Sequence, residues 1–154
     1  MPLSLRDSIA KSRPRIREDA VIEARAELLL PEDRDLLLAV WTYHQPTRML
    51  AELVGLTPQA VRRRIRLLVR RVHSEKFVGA ARAMRYLNAQ QAELARLHFC
   101  NALSVRETAQ AMHIGYHSAR RLACEVAGIV RGLKNLREDS SPGSLAREGQ
   151  TDHV

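Results

Sequence analysis

A chain of 154 residues makes one domain or two very small ones. Its residues are 45% hydrophobic but only 4% aromatic, so any core is mostly Leu, Val, Ile and Ala; with Gly and Pro few and scattered, this argues against an all-β fold and for helices. The formal net charge is +8, carried by 22 Arg and 3 Lys against 17 acids, which favours a polyanionic partner. No run approaches the roughly eighteen uncharged apolar residues of a membrane span. The N-terminus has a Pro and basic residues before any apolar run, so no signal peptide is read and a cytoplasmic protein is expected. The two cysteines, Cys100 and Cys124, form no metal or redox motif, and both fall in apolar-patterned helices, so buried thiols are expected.

Residues 1–17 read as a loose basic arm, interrupted by Pro14 and expected to be disordered. From Glu18 to Leu30 good helix formers follow an acidic start, with Val21, Ile22, Ala24, Leu28 and Leu29 available for packing. Pro31 opens the next helix, with Glu32 and Asp33 in the first turn, where the helix dipole favours acids. Leu36, Leu37, Val40 and Trp41 make its buried side, and it ends before Pro46.

The stretch from Thr47 to Val72 reads as helix, tight turn, helix. Ala51 is small enough to let the two helices approach, and Gly55 can take the left-handed conformation a turn there needs. Thr57 as N-cap and Pro58 at the first helical position start the second helix. Val61, Ile65, Leu68 and Val72 form its apolar stripe, while Arg62, Arg63, Arg66 and Arg70 fall off it and face outward. One greasy face, one arginine face and a short opening turn suit insertion into a DNA major groove.

Residues 74–86 read as a helical connector with Phe77, Ala81 and Met84 on one face, either continuing the preceding helix or breaking from it near Ser74. Asn88 with Gln91 is a capping-box pattern opening a helix whose apolar residues are Leu94, Ala95, Leu97 and Phe99. Ser104 with Glu107 is a clearer capping box before a short helix. His113 to Gly115 is a turn. Tyr116 to Leu133 is a long helix with Ala119, Leu122, Ala123, Val126, Ile129 and Val130 facing in. Residues 138–154 are polar and aperiodic and read as a disordered tail.

The charge is unevenly placed. Residues 1–56 carry 8 basic and 9 acidic side chains, 57–86 carry 9 and 1, 87–137 carry 7 and 3, and 138–154 carry 1 and 4. The positive patch therefore begins at the arginine helix, the footprint of a polyanion binder.

Sliding the chain on itself by 58 residues, without a gap, pairs Leu36 with Leu94, Trp41 with Phe99, Arg48 with Arg106, and Ala51 with Ala109. The same shift pairs Leu56 with Ile114, Val61 with Ala119, and Arg62 and Arg63 with Arg120 and Arg121. The fold expected is thus all-α, a tandem helix-turn-helix: one unit over 18–73, the connector, and a second unit over 87–137. The copies differ, since the second has His113 in place of Gly55 and only two arginines early in its second helix. Weaker DNA binding, or packing against its neighbour, is expected of it.

The segment LPEDRDLLLAVW followed by LAELVGLTPQAVRRRIRLL resembles region 4 of the bacterial sigma-70-type factors, the part that reads a promoter element in those proteins. The resemblance covers roughly 30–72 well and 87–133 more weakly. It implies double-stranded DNA as partner and a role in transcription regulation; the family's clamp-binding and promoter-melting region is longer than the 30 residues that precede the match, so initiation itself is not implied. By the family's layout the base-edge readers are Thr57, Gln59, Arg62, Arg63 and Arg66, with Arg64, Arg70 and Arg71 as phosphate clamps. In the second copy the equivalents are Tyr116, His117, Ser118, Arg120 and Arg121.

Other readings are weaker. No Gly-rich phosphate loop, HExxH or paired acids point to catalysis, and the chain is read as no enzyme with no cofactor. A metal site joining His113 or His117 to Cys100 or Cys124 lacks ligand spacing. A helical module holding RNA polymerase or another protein, its arginines serving an acidic partner, is the main alternative. An RNA binder is disfavoured by the few aromatics. The oligomeric state stays open.

Overall fold

The computed structural model describes residues 18–140, and helices are the only regular structure among them. The basic arm, and the tail beyond residue 140, lie outside the described residues. Helix α1 covers 18–26 and α2 covers Pro31–Trp41. Then come α3 (Thr47–Val54), α4 (Pro58–His73) and α5 (Glu75–Ala83), closed by a 3-10 turn at Met84–Tyr86. Helix α6 (Ala89–Leu94) runs into a π-helical turn at Ala95–Cys100, followed by α7 (Val105–Ala111) and α8 (Tyr116–Asp139). Glu138 and Asp139, expected in the tail, are the last residues of α8.

The local start signals act as their chemistry dictates. Thr57 Oγ1 accepts from the Ala60 N–H at 3.2 Å, with Pro58 next to it at the first helical position. Ser104 and Glu107 exchange both capping-box bonds, and the one that the Ser104 backbone N–H donates to the Glu107 carboxyl is the largest cause holding that carboxyl below its ordinary range. Asn88 and Gln91 do the same at α6. Ser74 resolves the open boundary between α4 and α5. Its hydroxyl donates to the Arg71 carbonyl and accepts from the Phe77 N–H, so one side chain ends α4 and caps α5.

The repeat is written in the backbone as well as in the side chains. Among the described residues, the non-glycine residues with positive φ are His44, Ala102 and His113, and Gly55 joins them; His44 matches Ala102 and Gly55 matches His113 at the same 58-residue shift. Loop hydrogen bonds follow that register. Gln45 N–H to the Ala39 carbonyl matches Leu103 to Leu97, and Leu56 to Ala51 matches Ile114 to Ala109. Tyr43 to Leu38 matches Asn101 to Arg96. The loops on either side of α3 therefore share their backbone turns with those on either side of α7.

Packing departs from the sequence reading in three places. The segment expected to be a connector is core: Phe77 and Ala80 are fully buried with Leu37, Leu68 and Val72 in the first cluster, and Met84 and Phe99 pack against both clusters. Cys100 is buried, and burial pushes its thiol up to about 12, but Cys124 is exposed. The α8 stripe explains this: Ala119, Leu122 and Val126 face the core, and Cys124 lies between them on the other side. Third, the uniform helix expected after Gln90 widens into the π turn, which buries Leu97 and Cys100 and leaves Phe99 half-buried.

The units are also bolted together by a polar residue. Asn101, 5% exposed, accepts from the Leu30 N–H at 2.7 Å and donates to the carbonyls of Leu28 and Arg96. Arg25 of α1 donates to the Val72 carbonyl near the end of α4 at 2.9 Å.

Candidate nucleic-acid interface

Helix α4 presents the expected division of faces. Val61, Ile65, Leu68 and Val72 are all buried in the first cluster. Gln59, Arg62, Arg63, Arg66 and Arg70 are exposed, and none of their side chains forms a hydrogen bond or ion pair with another described residue. Arg62, Arg66 and Arg70 recur every four residues and so stand in one row, with Gln59 and Arg63 beside the row's first turns. Four guanidinium groups on one solvent face repel one another and gain nothing within the described fold. An anion laid along them would relieve that repulsion.

Arg64 and Arg71 do not belong to this face. Two turns apart, they lie on the flank of α4 that meets α2. Arg64 Nη2 is 2.8 Å from Asp33 Oδ1, and Arg71 Nη1 is 3.4 Å from Asp33 Oδ2. The Asp33 side chain is 14% exposed, and Glu32 approaches Arg64 at 3.6 Å. Both were expected as phosphate clamps; as placed, they hold α4 against the N-terminus of α2. Asp33, read from sequence as answering the helix dipole, also accepts both of these arginines.

Of the other residues singled out by sequence, Thr57 is exposed and serves as N-cap. In the second unit Tyr116, His117, Ser118, Arg120 and Arg121 are exposed at the start of α8, with the Tyr116 and His117 rings edge to face at 5.6 Å. The arrangement is thinner there. Arg121 has Glu125 four residues on at 3.8 Å, and Glu125 also accepts from Gln91. Cys124 and Gly128 stand where the first unit has Arg66 and Arg70. Gly115 caps α8 without a side-chain bond.

One pair escaped the site assignment. Arg48 is the second residue of α3, and Arg106 is its counterpart in α7; both are exposed without a described partner. A cation at a helix N-terminus opposes the helix dipole. An outside anion would relieve that opposition in both units, and the 58-residue alignment already paired the two positions.

No group of three or more His, Cys, Asp and Glu able to hold a metal ion occurs among the described residues, and no described helix is long and apolar enough to cross a membrane. No protein-family model, curated protein or solved structure matches the chain.

Proposed function

We propose that the protein is a sequence-specific, double-stranded DNA-binding transcriptional regulator, built as a tandem helix-turn-helix and similar in plan to sigma-70 region 4. In this reading α4 enters the major groove. Gln59, Arg62, Arg63 and Arg66 reach base edges, arginine forking onto guanine and glutamine onto adenine. Arg70 and Arg48 take phosphates, and the second unit adds weaker contacts through Tyr116, His117, Ser118, Arg120 and Arg121. The observation that carries the reading is the row of arginines on α4 that has no described partner, on a helix whose opposite face is locked in the core.

Selection of duplexes from a random pool at physiological salt is the direct test, followed by gel-shift titration of the selected site. Arg62→Ala and Arg63→Ala are each expected to weaken specific binding by about 1–3 kcal/mol. Affinity should fall steeply with salt, with a slope near the number of phosphates neutralised. Recovery of no preferred duplex, or wild-type affinity in both variants, overturns the assignment.

A second reading, a helical module that holds a protein partner such as RNA polymerase, is favoured by one feature: a groove between α5 and α8 that the DNA reading does not use.

A further inference from the structure

Helices α5 and α8 close on each other at Gly79, where an added Cβ would stand 2.8 Å from Val130 Cγ1. Beside this near contact they bound an open groove of about 840 Å³. Its floor is apolar: Val78, Phe99, Ala127, Val130 and Leu133 line it, all half-buried. Its rim is cationic. Lys76 and Arg82 stand on the α5 wall, and Arg131 and Lys134 on the α8 wall. Lys134 is paired with Glu75, and Lys76 lies over the Phe99 ring at 5.1 Å. Arg82 and Arg131 are exposed and have no described hydrogen bond or ion pair. Arg82 is close enough to Arg25 to help lower the Arg25 pKa, after burial, the larger cause. The rim thus carries uncompensated positive charge. Glu75 and Glu138 are the acids that line the groove.

We propose that this groove is a docking site for an acidic amphipathic helix of a partner protein. A nucleic-acid backbone would use the rim and leave the apolar floor without a ligand. An amphipathic helix uses both, with two or three aliphatic side chains on the floor and carboxylates at the edges. The nine residues of α5 give a wall roughly 13 Å long, room for two to three turns of such a helix. The inference is independent of the DNA reading and places the protein partner away from the arginine row of α4.

The probe is a fluorescein-labelled designed helix of about 14 residues, with leucines on one stripe and glutamates flanking it. Its twin carries lysine for every glutamate. Fluorescence anisotropy against the full chain is expected to show saturable binding of the acidic helix, with the twin weaker by about tenfold or more. Arg82→Glu with Arg131→Glu should weaken the acidic helix by a similar factor, while Arg62→Ala with Arg63→Ala leaves it unchanged. Arg131→Glu alone, checked by circular dichroism, serves if the double variant does not fold.

Equal binding of the two peptides, or no response to charge reversal, overturns the proposal. So does displacement of the peptide by a random duplex, which would make the groove a phosphate track. A gain of about tenfold or more on removing residues 141–154 would identify the chain's own C-terminal segment as occupant, and would also overturn it. Loss of duplex binding in Arg62→Ala with Arg63→Ala, with peptide binding intact, separates the fates of the two readings.

Discussion

Asp33 shows how one residue can sort the arginines of α4 into two kinds. It is mostly buried, so its charge is tolerable only with its cations in place, and Arg64 and Arg71 supply them. Hydrogen bonds to charged groups contribute about 1.5–3 kcal/mol, less here because both guanidinium groups keep 30–40% of their exposure. Asp33→Asn is therefore expected to lower stability by about 1–2 kcal/mol in urea denaturation at neutral pH. Arg64→Ala should destabilise to a similar degree and, under the proposed duplex binding, leave its salt slope unchanged. A slope reduced by about one would return Arg64 to the phosphate contacts. The sequence showed that Arg62, Arg63, Arg66 and Arg70 lie off the apolar stripe, because helical spacing alone decides that. It did not separate Arg64 and Arg71 from them. Their partner lies more than thirty residues earlier, and only the packing of α2 on α4 brings it near. In the second unit the three positions are Gln91, Leu122 and Ile129. An ionic clamp in one copy is matched by mostly apolar residues in the other, and so pairwise similarity at these positions was invisible.

At the scale of elements, the turns are the informative places. Gly55 at φ 68° and His113 at φ 54° make the same left-handed turn with different residues. Beyond its own residue and its two chain neighbours, no described atom lies within 4 Å of where a Gly55 Cβ would be, so a substitution there feels the local backbone alone. Gly55→Ala is expected to cost about 1–2 kcal/mol, the price of a Cβ in that region. His113→Gly removes the same strain but loosens the unfolded chain, and should change stability by no more than about 1 kcal/mol. Melting of the two variants side by side checks this. Equal losses in both would mean that His113 holds its turn by something other than backbone conformation. The ends of α3, α4, α6 and α7 were legible because caps are local: Thr57, Asn88 and Ser104 bind N–H groups three residues away. The π turn at Ala95–Cys100 was not legible. Nothing in ARLHFC breaks a helix, and the wide turn goes with tertiary demands on Leu97, Cys100 and Asn101.

For the molecule as a whole, the decisive feature is that its two buried clusters are joined through Met84 and Phe99, which pack against both. The helix expected as a connector over 74–86 is also part of the core: α5 sends Phe77 and Ala80 into the first cluster and is followed by Met84, which packs on both. The alternation of α5 gave no hint of this, because a helix apolar on one face looks the same whether it covers one core or joins two. Asn101 adds direction to the joint. It meets the Leu30 N–H and the Leu28 carbonyl just before α2, and so sets where the first unit sits on the second. Asn101→Ala would orphan these two groups, each at about 1–3 kcal/mol where water does not reach, while the Arg96 carbonyl keeps the backbone N–H of residue 101. A loss of about 3 kcal/mol is expected, a large part of the 5–15 kcal/mol typical of a small domain. Asn101→Asp keeps the acceptor for Leu30 but sets a carboxylate against two carbonyls, so it should rescue nothing. Urea unfolding of the wild type followed by circular dichroism and by the fluorescence of Trp41 should give one coincident transition, because Trp41 in the first unit reports a core continuous with the second. Two separate transitions would show that the units fold independently, and the shared interior through Met84 and Phe99 would then contribute little to holding them together.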